Sequence, residues 1–274
     1  WGESAFGTIR EAVESGAARV LVHPGRYPQT FYLVSGVEVI GAGAETTIIE
    51  PPSGAPSTLV TADGVVGVSL ARLTLAGTTG WNGFLAEGGT TGVRLTRNIF
   101  RHLNTAISLT GGSGVEILNN TIVENINGIS ITDVVDDGTS VIVRNTILAY
   151  NSGTGLLHGT NPTALNNTYN DFWANGIDMS PAIVSLGSQF YDPLFRNLPA
   201  EDLRLAANSP LIDMGAPNDP TLPGGGKRVD IGYAEFNTAG FYVSQDYSAN
   251  GLNDGLTWGV DAFDTIQGAL DAAA

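Results

Sequence analysis

Cysteine is absent from the 274 residues, and lysine occurs once, at Lys227. Without cysteine there can be no disulfide-stapled small domain, so a core must come from burial alone; a chain of this length can supply one. Twelve basic residues stand against 27 acidic ones, a formal charge of −15. That balance argues against a nucleic-acid partner, because it cannot neutralise a run of phosphates. It suits a surface exposed to salt or divalent cations. No stretch approaches the roughly 18 consecutive apolar residues of a membrane span, so no membrane insertion is expected. What the chain does have is glycine, 36 of them, and two repeats of very different length.

The longer repeat joins the two ends. Trp1-Gly-Glu-Ser-Ala-Phe-Gly-Thr-Ile9 returns as Trp258-Gly-Val-Asp-Ala-Phe-Asp-Thr-Ile266, 257 positions on. Each copy carries an N-cap candidate, Ser4 or Asp261, and apolar residues at helical spacing: Phe6, Ile9, Ala12, Val13 and Phe263, Ile266, Ala269, Leu270. Both therefore read as short amphipathic helices. A period this long exceeds the roughly 20 to 50 residues of a solenoid unit and marks a whole domain in tandem. The chain reads as about one period of a longer array.

The shorter repeat occupies the middle. Asn98, Asn120, Asn145 and Asn167 each precede a β-type run, recurring about every 22 to 25 residues, within the range of a solenoid coil. Ala106-Ile107, Gly128-Ile129, Gly155-Leu156 and Gly176-Ile177 follow in phase. Short runs of branched residues between Gly and Asn turns fit the coils of a parallel β-helix. Stacking at about 4.8 Å would place Ile107, Ile129, Leu156 and Ile177 in one interior ladder and the four asparagines in a ladder at a turn. A leucine-rich repeat would need a Leu-x-x-Leu-x-Leu frame, which is missing. An antiparallel sandwich would not explain asparagines in phase.

The flanks carry a family resemblance. Arg19-Val-Leu-Val-His-Pro-Gly-Arg-Tyr27, Val37-Glu-Val-Ile-Gly-Ala-Gly43 and Thr47-Ile-Ile49 resemble the opening coils of the pectate-lyase-like superfamily. Asp192-Pro-Leu-Phe195, Leu203-Arg-Leu-Ala-Ala-Asn-Ser-Pro-Leu-Ile-Asp213 and Asp230-Ile-Gly-Tyr-Ala-Glu-Phe236 resemble the segment that closes such domains in bacterial and archaeal surface or secreted proteins. Phe241-Tyr-Val-Ser and Asn253-Asp-Gly-Leu-Thr-Trp258 are similar to the start of the next domain. The resemblance implies an all-β, right-handed single-stranded parallel β-helix with a short N-terminal capping α-helix. The expected division is a β-helix module over 1–237, with its cap helix at about 4–15, coils at about 19–190 and a closing segment at about 191–237. A connector and first strand follow over 238–257, then the next cap helix over 258–274. Activity is left open by the resemblance, since the superfamily holds lyases, hydrolases, epimerases, adhesins and structural rods.

The chemistry-bearing residues are sparse. Gly41-Ala-Gly43 after a strand looks like a dinucleotide turn, but β structure and Pro51-Pro52 follow it instead of a helix N-terminus. His23, His102 and His158 lack the spaced partners of a metal site and read as structural. Enzymes of the superfamily use carboxylates with a Lys or Arg, and the set here is Glu87, Asp133, Asp136, Asp137, Asp171 and Asp178. Asp178 aligns with Leu157 and Ser130, so no stacked carboxylate pair is visible; Arg94 aligns beside Glu116 as a surface ion pair, and Lys227 falls in the closing segment. No catalytic set and no organic cofactor are assigned. Asp246, Asn250, Asn253 and Asp254, in a loop with Gly251 and Gly255, form the candidate metal site, with oxygen ligands suited to Ca2+ although not at EF-hand spacing. Asn119-Asn-Thr121 and Asn166-Asn-Thr168 are formal glycosylation sequons, read as ladder positions. The leading expectation is an extracellular or cell-surface structural or adhesive module whose partners are other copies, joined head to tail. The alternatives are a polysaccharide lyase or glycoside hydrolase working along the groove, and a non-catalytic module binding surface polysaccharide through Trp81, Trp173 or Tyr150.

Overall fold

The structure is a computed structural model, and it describes residues 5–54, 57–78, 80–132, 141–159, 165–183, 185–222 and 225–236, with short stretches at 242–243, 248, 262–265 and 267. Three parallel sheets of seven strands each wind as seven stacked coils, one strand per sheet per coil. The fourth coil shows the plan: Thr91–Thr96 in the first sheet, Ile99–Arg101 in the second, Thr105–Thr110 in the third.

Each sheet sends one row of side chains inward. In the second sheet Ile49, Leu75, Phe100, Ile122, Leu148 and Phe172 lie opposite one another in register. All six are buried, so every coil offers its neighbours the same apolar step. The third sheet's row is Phe31, Val60, Phe84, Ile107, Ile129, Leu156 and then Met179. Ile177 was expected at that last step; it pairs instead with Thr154 and is exposed. The Gly-x dipeptides are not equivalent: Gly176 follows Asn175 directly, whereas Gly128 comes three residues after Asn125, so the inward position four residues past the asparagine is Met179 and Ile177 falls two short of it.

In the later coils two tight corners share one device. At the corner between first and second sheets, Arg72, Arg97, Asn119, Asn145 and Tyr169 all take the left-handed conformation, with φ between 52° and 59°. The residue after each forms the ladder. Asn98 Oδ1 accepts from Leu73 N–H, Asn120 Oδ1 from Asn98, Thr146 Oγ1 from Asn120, Asn170 Oδ1 from Thr146 and Ser188 Oγ from Asn170. Asn98 and Asn120 therefore stand on the ladder as expected. Asn145 and Asn167 do not: Asn145 is the left-handed residue itself, and Asn167 ends the inward row of the first sheet opposite Val143. The Asn-Thr-Ile match misplaced them because Thr146 does an asparagine's work.

A second ladder, not anticipated, lines the corner between second and third sheets. His102, Glu124, Tyr150 and Ala174 are left-handed there. Asn125, Asn151 and Asn175 accept from the backbone N–H of Leu103, Asn125 and Asn151 respectively, and their amides donate to Phe100, Ile122 and Leu148 carbonyls.

The first coil is covered by a helix at Ile9–Glu14, which buries Ile9, Ala12 and Val13. It starts later than the expected 4–15, because Thr8 takes the N-cap: Thr8 Oγ1 accepts from Glu11 N–H and the Glu11 carboxylate accepts from Thr8 N–H, a capping box. The cap of the described helix is thus Thr8, while the candidate Ser4 lies outside the described residues.

The outer face of the second sheet is sealed by the closing segment. Leu203, Leu205, Leu211, Ile231 and Tyr233 pack on Ile99, Val123, Ile147 and Ala149. The left-handed residues of the first corner hold that segment in place. Arg97 pairs with Glu235 at 3.2 Å, Asn119 Nδ2 donates to the Asp230 carbonyl, and Asn145 accepts from Ala216 N–H and donates to Asp219. Burial pushes the Asp230 carboxyl up to about 7, against the pull of N–H groups from Asp213 and Phe236.

Candidate functional site

The groove with the most functional character follows the second corner. The stack of left-handed residues forms its floor, and the turn at Leu198–Ala200 in the closing segment forms a wall. One part encloses about 630 Å³ beside His102, Asn104, Glu124, Ile126, Tyr150 and Ser152. A second, of about 240 Å³, shares Gly77, Thr78 and His102 with it and continues past Arg101 and Glu201 to Arg26 and Glu50.

Stacking explains why polar groups meet here. Equivalent positions on adjacent coils lie about 4.8 Å apart, so His102 and Glu124 face each other at 3.2 Å. Arg26 and Glu50, on the paired strands of the first two coils, close to 2.6 Å. Arg101 stands in the outer row between Ala76 and Val123, is almost fully buried, and pairs with Glu201. Its guanidinium pKa is lowered, first by burial and then by the Arg26 charge, with Glu124 acting the other way. Tyr150 donates to Asp192 Oδ1 at 2.9 Å, and burial followed by that bond pushes its hydroxyl up to about 12. The groove thus presents alternating ion pairs, hydroxyls and amides along an extended line.

The sequence-predicted candidates scatter. Glu87 lies opposite Asp63 in the third sheet, so a stacked carboxylate pair does exist. It escaped the alignment, which begins at the fourth coil, two coils too late. Asp178 aligns with Gly155, rather than Leu157 and Ser130, and accepts from Asn175 Nδ2. Asp171 is wholly buried under the closing segment, where Oδ1 accepts from Tyr191 N–H and Oδ2 has no partner among the described residues. Burial raises its pKa to about 8, aided by the charges of Asp178 and Asp192 and opposed by the Tyr191 bond. Asp133, Asp136 and Asp137 lie outside the described residues, as do the calcium candidates Asp246, Asn250, Asn253 and Asp254.

Arg94 meets Glu116 at 3.4 Å on the exposed face of the first sheet, the surface ion pair the alignment indicated. Lys227 is exposed. His158 is buried with both ring nitrogens 2.9 Å from carbonyls, of Gly159 and Pro181, a structural setting. His23 accepts from Tyr27 through its carbonyl, and His102 belongs to the groove. Gly41 is glycine because a Cβ there would lie 2.1 Å from the Arg72 carbonyl of the next coil. Trp81 is buried, while Trp173 and Tyr150 are partly buried and pack with the closing segment's core, so they form no open aromatic face. Of the two sequons, Asn119 is buried, but Asn166 is exposed on the first sheet and is not a ladder residue.

Three parallel sheets wound coil by coil, with inward apolar rows and asparagine ladders, define a parallel β-helix. The comparison with known families agrees and supplies the hand: residues 73–186 match the family described as "Right handed beta helix region", and the chain is a right-handed parallel β-helix. The search of curated proteins gave no match. Among the described residues no helix is long and apolar enough to cross a membrane, and no three His, Cys, Asp or Glu side chains gather as a metal would need.

Proposed function

We propose that the chain is a structural or adhesive module of an extracellular or cell-surface array, in which successive copies join end to end as a rod. The observation that carries the reading is the difference between its two ends. The first coil is covered by the helix at Ile9–Glu14. The far end, where residues 185–191 lie on the seventh coil, by contrast leaves Ile177, Leu186, Phe190 and Tyr191 at 48% to 69% exposure. A solenoid with one covered and one apolar end stacks in a single direction, and a heterologous contact of that kind propagates without closing. The cap sequence recurring at Trp258 supplies the next unit in the same chain.

Electron microscopy of chains carrying two, three and four copies, joined in the register that places Trp258 on Trp1, tests this. Particle length is expected to grow by a constant increment of at least roughly 30 Å per copy, the height of six steps between seven coils. Freely jointed beads with no fixed spacing would overturn the rod.

A second reading rests on the groove. Its line of ion pairs, amides and hydroxyls fits an extended polar chain such as a polysaccharide, bound without chemistry. Binding to a glycan panel that is lost in Arg101→Gln would support it, and an unchanged profile would remove it.

A further inference from the structure

The two copies of the repeated motif differ in one structural respect. In the second copy, Ala262–Phe263 is a strand paired in parallel with Tyr242–Val243, Tyr242 opposite Ala262 and Val243 opposite Phe263. In the first copy the same dipeptide, Ala5-Phe6, is irregular and exposed, with Phe6 at 43%. From Thr8 onward that first copy is well ordered into a capped helix on the first coil. Among the described residues no strand lies beside Ala5-Phe6. One sequence is therefore a strand where it has a partner and an open edge where it has none.

We propose that Ala5-Phe6 is the acceptor edge for the Phe241-Tyr-Val-Ser244 segment of a preceding copy. The segment adds as a parallel strand, with the copy of Tyr242 opposite Ala5 and the copy of Val243 opposite Phe6. Its chemistry fits: an uncharged, aromatic and branched run suits a short edge beside an exposed phenyl ring, and strand addition supplies the backbone bonds. Connectivity fits as well. Parallel neighbours need a crossover of roughly a dozen or more residues, and the segment from Ser244 to Asp261 is long enough to provide it in the second copy. In a continuous array the first copy would have a crossover of the same length, made of the preceding copy's positions 244–257 followed by positions 1–4. The joint is then a strand carried across the boundary, and the chain from about position 241 onward belongs physically to the following unit. The inference rests on the tandem reading for the source of the strand, though not on the array being rigid.

The test is the full chain extended upstream of Trp1 by a second copy of residues 238–257, followed by amide hydrogen exchange. Exchange over residues 5–8 is expected to slow about tenfold or more, the mark of a frayed edge becoming paired. An extension carrying Tyr242→Pro and Val243→Pro in the added copy should lose that protection, while exchange in the helix at residues 9–14 reports that the fold is intact. Unchanged exchange with the native extension, or equal slowing by the proline version, would overturn the joint. Protection of Ala5-Phe6 alongside freely bending multi-copy particles would leave the joint standing and remove the rod.

Discussion

Asn120→Ala is expected to cost about 3–5 kcal/mol, among the largest effects of any single substitution in this chain. Asn120 is fully buried; its Oδ1 accepts from Asn98 N–H at 2.9 Å, and its Nδ2 donates to the Leu95 and Leu118 carbonyls at 2.9 and 3.1 Å. Alanine would strand the Asn98 N–H and take a donor from the Leu95 and Leu118 carbonyls where water does not reach, although the Leu118 carbonyl keeps its bond from Arg97 N–H; each group left unpaired costs about 1–3 kcal/mol. It would also remove the bonds that offset the left-handed backbone at Asn119. Asn104→Ala is the control, since Asn104 is only partly buried and its amide bonds Asn82 alone at 3.2 Å; less than about 1 kcal/mol is expected. Asn120→Thr should recover part of the loss, because Thr146 already fills the equivalent step with a hydroxyl. Urea unfolding of the three variants decides the matter, and equal losses at Asn120 and Asn104 would refute the ladder's role.

Asp171→Asn is expected to stabilise the protein most at alkaline pH and only slightly at pH 5. Asp171 is the last step of the outer row that runs through Thr74, Ile99, Thr121 and Ile147, and it is completely covered. Its folded pKa, about 8, lies above the ordinary 3.8. A carboxyl raised on folding contributes its full stability below the unfolded value and loses it as pH climbs through the folded one. The loss therefore runs from about pH 4 to pH 8, and at about 1.4 kcal/mol per pH unit over some four units the buried charge costs on the order of 5 kcal/mol by pH 9. Asparagine can still accept from Tyr191 N–H and carries no charge. Unfolding at pH 5, 7 and 9 should show the variant ahead of the parent by a small margin at pH 5 and by progressively more above. Asp230, raised to about 7 by burial, tilts the parent's own profile the same way, so the difference between variant and parent is the quantity to read. A gap that is the same at pH 5 and pH 9 would contradict the assignment.

The carboxylates show how little of the candidate site the sequence made legible. Asp63 and Glu87 sit a full coil apart along the chain and become neighbours only when the third coil stacks on the second. Arg101, Glu201 and His102 gather at the groove because the closing segment returns along the coils and brings Glu201 back to a strand left several coils earlier. Charged side chains at coil edges have no periodic signature, since each coil tolerates a different one. The second asparagine ladder, by contrast, was available: Asn125, Asn151 and Asn175 recur one coil apart, in step with the first ladder's Asn120, Thr146 and Asn170.

By itself the sequence determined the winding. Every coil must bury the same inward row and satisfy the same buried corner, so those demands repeat once per coil and print themselves on the chain as branched residues, Asn and Gly. The tertiary structure alone decided that Asn120, Thr146 and Asn170 stand on the ladder while Asn145 and Asn167 do not, and that the left-handed corner residues Arg97, Asn119 and Asn145 hold the closing segment. It also decided that the outer face of the second sheet is core and that the Tyr233 hydroxyl reaches back to Glu45 on the second coil. Those contacts happen once each. A local rule applied in every coil leaves a period to read, whereas a single long-range contact leaves none.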